Sequence, residues 1–320
     1  MKLSKLLVSG AVCAGFICAE SIREQLNFKV TRYQIRTPKM ESDAKPKRIV
    51  FLSDLHNKEY GEGNARLLHA VREIRPDLIL IGGDMLIGRC GKLPEPALNF
   101  VKKLPQIAPV YYANGNHEQR MKEDTIKYGN VFRVYRSELR EAGVHFLENE
   151  SADVELDGIK IRLTGLELPS KTYEKFTRYH LGKEEIVKRV GTIQRERKAV
   201  YAAARNEGAE RAEQRDTADS VDDYEILLAH NPVYYHVYKA WGADLVLSGH
   251  LHGGIARIPG WRGVITPQAF LFPKYSGEMT EEDGQAIIVS RGLGMHTIKF
   301  RFFNRPELIV VTIRPTHMSE

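Results

Sequence analysis

Seven side chains able to bind a cation stand just past the ends of five short apolar runs. Ile49 to Leu52 breaks off into Ser53-Asp54-Leu55-His56, and Leu78 to Ile81 into Gly82-Gly83-Asp84. Val110 to Tyr112 is followed by Asn114-Gly115-Asn116-His117-Glu118. Ile226 to Leu228 leads through Ala229 to His230, and Leu245 to Leu247 leads to Ser248-Gly249-His250-Leu251-His252-Gly253-Gly254. An Asp and a His two residues apart, as in Asp54 and His56, can turn an oxygen and a nitrogen toward one cation if the loop stays extended. The repeated glycines fit a backbone that turns sharply and lets a ligand come close, because glycine has no Cβ in the way.

The donor set decides which chemistry is available. A structural zinc site is satisfied by four ligands. Asp54, His56, Asp84, Asn116, His230, His250 and His252 offer more than that, which argues for an open site holding two divalent ions. A carboxylate such as Asp84 can bridge two cations about 3.5 to 4 Å apart, and two such ions lower the pKa of a shared water toward neutrality. Oxygen and imidazole donors without thiolate favour manganese, iron or zinc over copper. Manganese is the first expectation. His117 adjoins a ligand position, so it can reach the substrate side without binding an ion. There it would stabilise charge developing on a substrate or protonate a leaving group. Glu118 is expected to orient its neighbours.

These groups need elements that deliver them to one place. A continuous apolar run of four or so residues reads as a strand buried on both faces. In open α/β sheets, ligands bind at the carboxyl ends of such strands. Leu67, Val71 and Ile74 mark one face of a helix that Pro76 stops, and further helices are expected at Glu95 to Leu104 and Val131 to Ala142. Val154 to Leu163 reads as a hairpin turning at Asp157-Gly158, and Gln285 to Ser290 and Leu308 to Ile313 read as closing strands. Helix-connected strands followed by hairpins imply an α/β fold in which two sheets pack together with helices outside.

The 320 residues suit one large α/β domain or two small ones, and an excess of 47 basic over 41 acidic residues is too small to argue for nucleic-acid binding. Cys13, Cys18 and Cys90 form no disulfide or zinc pattern. Lys2 and Lys5 precede an uncharged run from Leu6 to Ala19, which reads as a signal peptide or membrane anchor over residues 1–27. Cleavage after Ala19 would release a secreted protein. Retention would leave an extracytoplasmic domain tethered to the cell membrane. Residues 28–47 read as an edge strand and connector, and 48–320 as the catalytic domain. Within it, 171–223 is rich in Lys, Arg, Glu and Ala, with Ile186, Val190, Ile193, Val200 and Ala204 at helical spacing. This is read as an inserted, charged helical excursion: a surface helix, a lid, or a basic face on anionic lipid. Trp261, Phe270, Phe272 and Tyr275 either wall a pocket or pack in the core. Arg291-Gly292-Leu293-Gly294 reads as a tight turn near the ligand edge. Asp77, His69, His145, His180, His236 and His296 have no motif around them.

In their order, the stretches Asp54-Leu55-His56, Gly83-Asp84, Gly115-Asn116-His117-Glu118, His230 and Gly249-His250-Leu251-His252 resemble the calcineurin-like metallophosphoesterase superfamily. The resemblance runs from Arg48 to Ile313, apart from the charged insertion. It implies a four-layer α/β/β/α sandwich of two mixed sheets flanked by helices. It also implies one metal held by Asp54, His56, Asp84 and His252, and a second held by Asp84, Asn116, His230 and His250, with His117 as the catalytic histidine. The expected reaction is hydrolysis of a phosphodiester or pyrophosphate by a metal-bridging hydroxide. The apolar N-terminus and the stretch Val30 to Pro38 are similar to a membrane-associated bacterial branch, which implies a lipid-linked or nucleotide-linked phosphate ester. A non-catalytic binding scaffold and a nuclease are the alternatives.

Overall fold

The structure is a computed structural model and describes residues 2–89, 91–174, 176, 179–193, 222–254, 257, 263–264, 271–295 and 300–316. The first sheet contains β1 (Lys29–Thr37), β2 (Lys47–Leu52), β3 (Leu78–Ile81), β4 (Val110–Tyr112), β5 (Val144–Phe146) and β12 (Glu307–Pro315). Its order is β1-β12-β2-β3-β4-β5. The second contains β6 (Glu150–Leu156), β7 (Ile159–Leu166), β8 (Tyr224–Ala229), β9 (Leu245–Ser248), β10 (Met279–Glu282) and β11 (Gln285–Val289). Its order is β10-β11-β9-β8-β7-β6.

Both sheets are mixed, and in each the strands that carry candidate ligands run parallel. β2, β3, β4 and β5 are parallel neighbours, as are β7, β8, β9 and β11. A parallel run places all carboxyl ends at one edge, so five sequence-distant loops meet there. Among the described residues β1 stands at the end of its sheet and pairs with β12.

Alternation along the strands generates the layers. Val50 and Leu52 of β2 pack with Leu67 and Val71 of α2 (Ala65–Ile74) and Phe100 of α3 (Glu95–Val101). Ile49 and Phe51 of the same strand point the other way and meet Ile226 and Leu228 of β8 between the sheets. Leu227 and Ala229 of β8 face Ile186 of α7 (Lys183–Val190) and Tyr235 and Tyr238 of α8 (Tyr235–Trp241). Three apolar layers therefore separate helix, sheet, sheet and helix, the α/β/β/α sandwich implied by the motifs. Each such aliphatic side chain removed from water contributes ~1.5–3 kcal/mol. Between the sheet strands of the first half lie α4 (Asn116–Glu123), α5 (Thr125–Tyr128) and α6 (Val131–Glu141). Helix α2 ends on Arg75 in a left-handed conformation, one residue before Pro76.

The N-terminus departs from expectation. Among the described residues no helix is long and apolar enough to cross a membrane, which overturns the anchor and the membrane localisation drawn from it. Within α1 (Lys2–Leu26) the uncharged run gives way to Glu20, Arg23 and Glu24. Ser21 and Glu24 are instead buried against the body, where the Ser21 hydroxyl accepts Arg301 N–H and the Glu24 carboxylate accepts Asn304 N–H. The start of the charged insertion is likewise packed: Ile186 and Ile193 are buried beneath α8, and Trp241 donates to the Gly191 carbonyl. Val200 and Ala204 lie outside the described residues, as do Cys90, Trp261, Phe270 and His296.

Candidate metal centre

Five of the seven candidate ligands have a backbone conformation that L residues rarely take. Asp54, His56, Asp84, His250 and His252 have φ values of 53°, 49°, 52°, 68° and 51°. The Asp54 loop is thus coiled in the left-handed region and not extended, contrary to the sequence reading. Such residues cost about 1 kcal/mol or more each, and they persist where surrounding structure holds them. Here the holding contacts can be named. Asp54, His56 and Asn57 N–H groups donate to the carbonyls of Gly83, Asp84 and Met85, which zips the β2 and β3 loops together. A Cβ on Gly83, itself at φ 89°, would lie 2.1 Å from the Gly115 nitrogen. A Cβ on Gly249 would lie 2.3 Å from Asp54 Oδ2. Close loop approach is therefore what these glycines provide.

The side chains converge in three overlapping groups whose ligand atoms lie within 4.8 Å of one another: Asp54, His56 and His252; His56, Asp84 and His117; and Asp84, His230 and His250. Asp54 Oδ1 is 3.6 Å from His252 Nε2 and 3.8 Å from both His56 Nε2 and His230 Nε2. Asp84 Oδ2 is 3.2 Å from His230 Nε2 and 3.9 Å from His56 Nε2. His56 Nε2 and His252 Nε2 face each other at 3.3 Å, close enough to share one proton or to converge on one cation. Asn116 Oδ1 is buried and, among the described residues, accepts no hydrogen bond. A buried amide oxygen of that kind is costly unless a donor or cation meets it. Six of the seven sequence-derived ligands thus gather in one cluster, Asn116 stands beside His117 at the start of α4, and the donor set suits divalent ions.

Electrostatics agree with the geometry. Burial pushes the Asp54 carboxyl up to about 6, with His230 opposing. Burial works against the Asp84 charge too, yet His230, His117 and His56 outweigh it and hold Asp84 well below the usual carboxylate range. Burial lowers His230, but Asp84 and Asp54 overcome this and push it up to about 10. Two carboxylates buried side by side demand a compensating cation. His230 Nδ1 lies 2.6 Å from the Gly82 carbonyl, which can only accept, so one proton sits on Nδ1; the second, which Asp84 and Asp54 favour on Nε2, is the one a bound cation would displace.

His117 stacks edge-on against His56 with ring centres 5.1 Å apart, and its main-chain N–H donates to Asp84 Oδ1 at 2.9 Å. Its ring nitrogen reaches the His56 and Asp84 atoms closely enough to count among possible ligands, whereas the sequence reading kept it apart from the ions. Glu118 orients its surroundings as expected, and more widely. Its carboxylate accepts Asp84 N–H (2.8 Å), Met85 N–H (2.9 Å), Gly115 N–H (3.1 Å) and Tyr112 O–H (2.7 Å), tying β3, β4 and α4 together.

Several participants carried no motif. Ser53 donates to Asp54 Oδ2 at 2.5 Å, and its adjacency to Asp54 was the only available signal. Arg301 has a fully buried guanidinium that donates to the carbonyls of Gly292, Gly294 and Asn304. Gly292 lies against Asp54 and His252, where a Cβ would come 2.8 Å from Asp54 Cβ, so the Arg291 to Gly294 turn does sit at the ligand edge. Of the aromatic segment, Tyr275 packs on Tyr235, and Phe272 is exposed. His145 stacks on Tyr111, and Asp77 accepts Arg48 N–H, both outside the cluster.

The family described as calcineurin-like phosphoesterase matches residues 47–254. The chain is 26% identical over 278 residues to the Bacillus subtilis (strain 168) protein named metallophosphoesterase YkuE, covering 84% of this chain and 80% of that one. It is 26% identical over 241 residues to the phosphodiesterase YaeI of Escherichia coli (strain K12), covering 72% and 69%. Among solved structures, the phosphopantetheinyl hydrolase PptH of Mycobacterium tuberculosis superimposes with a TM-score of 0.43 at 14% identity, covering 79% of this chain and 89% of that one.

Proposed function

The chain belongs to the calcineurin-like phosphoesterase family, and on that premise we propose that it hydrolyses a phosphodiester or pyrophosphate bond with two divalent metal ions as cofactors. The observation that carries the reading is the pair of Asp-His groups, Asp54-His56-His252 and Asp84-His230-His250, set side by side at one buried edge. Asp54, His56, Asp84 and His252 would hold one ion, and Asp84, Asn116, His230 and His250 the other, with Asp84 shared. When bound, the two ions supply Lewis acidity, lowering the pKa of water and polarising the phosphoryl oxygens.

The chain's own residues do the rest. His230 and Asp84 keep their donor atoms aimed inward, because the Gly82 carbonyl and the His117 N–H occupy the opposite sides. His117, 8% exposed at the rim of the cluster, is placed to meet a phosphoryl or leaving oxygen and donate a proton to it. Preference for a diester is supported by the likeness to a relative named as a phosphodiesterase. Manganese heads the candidate metals, with iron and zinc behind it.

The test is hydrolysis of an activated aryl phosphodiester and its matching monoester by metal-stripped protein, with manganese, iron or zinc added back. Diester turnover that depends on metal and is lost in His117→Ala and Asp84→Asn supports the reading. Faster monoester turnover would overturn the diester preference. Absence of both turnover and metal binding would leave a non-catalytic scaffold.

A further inference from the structure

Tyr173 stands at the start of the segment that reads, in sequence, as a charged excursion. In the fold it lies against the candidate metal ligands. Its ring meets His250 edge-on with centres 5.0 Å apart and lies 6.2 Å from the ring of His230. The short 3₁₀ turn that carries it, Ser170–Tyr173, is fastened from two directions. Asn231, next to His230, donates from its amide to the Thr172 carbonyl at 2.9 Å. Gln119, on the same helix as His117, donates to the Leu168 carbonyl at 2.8 Å. Thr172 is itself buried and closes the turn by donating to the Pro169 carbonyl. The ring position is therefore set by the same loops that carry His117 and His230.

The hydroxyl distinguishes this tyrosine from those around it. Tyr112, Tyr235 and Tyr238 all spend their hydroxyls on bonds within the protein, to Glu118, Gln285 and Asn231. Among the described residues the Tyr173 hydroxyl makes no hydrogen bond, and the side chain is half-buried. A half-buried phenol beside metal-binding histidines, with a donor unspent, suits a ligand rich in acceptor oxygens.

Resting on the phosphoesterase reading above, we propose that Tyr173 is a substrate-contacting residue whose hydroxyl donates a hydrogen bond to a phosphoryl oxygen of the bound ester, on the His250 side of the site. The segment around it then completes the phosphoryl pocket, in place of the surface excursion read from its composition. Asn231 and Gln119 act as positioning residues for it.

The test compares wild type, Tyr173→Phe and Tyr173→Ala, each loaded with manganese. Calorimetry measures inorganic phosphate binding and metal stoichiometry, beside kcat and KM for the aryl diester. Phe keeps the ring against His250 and removes only the donor. It is expected to weaken phosphate binding about tenfold, the loss of one hydrogen bond to a charged acceptor, with two metals still bound and an unchanged melting temperature. Ala, which also removes the ring, is expected to weaken it further. Equal phosphate affinity in wild type and Phe would overturn the proposal while leaving the phosphoesterase reading intact. A wild type that binds two metals but neither phosphate nor diester would overturn both. Loss of metal in the Phe variant would reassign Tyr173 to supporting His250.

Discussion

The side-chain amide of Asn304 donates to the main-chain carbonyl of His252 at 2.7 Å, while the Asn304 N–H is accepted by Glu24 of the first helix. A candidate ligand loop is thus connected, through one side chain, to an element 228 positions before it in the chain (252 less 24). Replacing Asn304 by Ala frees the His252 carbonyl and loosens the loop. Metal affinity should fall ~10-fold to 100-fold, as for other residues that orient ligands, and a calorimetric metal titration checks it. Unchanged affinity would show that Gly253 and Gly254 hold the loop alone.

Glu118→Gln should destabilise the fold more than most single changes. The carboxylate accepts four donors from three segments, and an amide turns one of its two acceptor atoms into a donor facing other donors. The expected loss is about 2–4 kcal/mol, read from denaturant unfolding. A loss below 0.5 kcal/mol would mean the loops are held without it.

Gly83→Ala is expected to abolish the compact site. Its new Cβ would lie 2.1 Å from the Gly115 nitrogen and 2.4 Å from the Gly115 Cα, main-chain atoms that cannot rotate away. Added to the cost of positive φ, the penalty is ~3 kcal/mol or more. Melting temperature and metal stoichiometry should fall together.

Acid should weaken the protein partly through Glu148. Burial works against its charge, but Lys122 and Arg136 prevail and hold its carboxyl below the ordinary value of 4.5. The folded state therefore releases this proton more readily than the unfolded chain. The resulting stability is complete above the unfolded value and is lost as pH falls through the folded one. Glu148→Gln should lower stability at pH 7 and flatten its decline below about pH 4.5, measured by urea unfolding across that range. An equally steep decline in the variant would assign the acid limb to other carboxylates.

Metal removal should be felt in stability as well as in activity. The site gathers buried carboxylates that a cation relieves, and an ion bound only by the folded state, at a thousand times its Kd, adds about 4 kcal/mol. Chelation should lower the melting temperature, and manganese, iron or zinc should restore it. A melting temperature indifferent to chelation would remove the metal centre from the proposal.

Much of this architecture was legible in the sequence because the relevant physics is local. Ile49 to Leu52 has no polar face, so it reads as a doubly buried strand without knowledge of what covers it. Asp54 and His56 follow directly, so strand and ligand are read together, and the same holds for Asp84, Asn116, His230, His250 and His252. Parallel pairing then follows from the helices between the strands, and it brings those ends to one edge. The Asp54 loop conformation was not legible, since Gly83 and Gly115 set it across the site. Glu24, Tyr173, Arg301 and Asn304 were also hidden, because each acts on residues far away in the chain. A hydropathy window over Leu6 to Ala19 registers apolar length alone, whereas Ser21 and Glu24 further along the same helix are committed to the protein body by hydrogen bonds to Arg301 and Asn304. Sequence determined which groups stand at the strand ends; tertiary structure decided which distant side chains hold them there, because a hydrogen bond depends on distance in space and leaves no periodic trace in the chain.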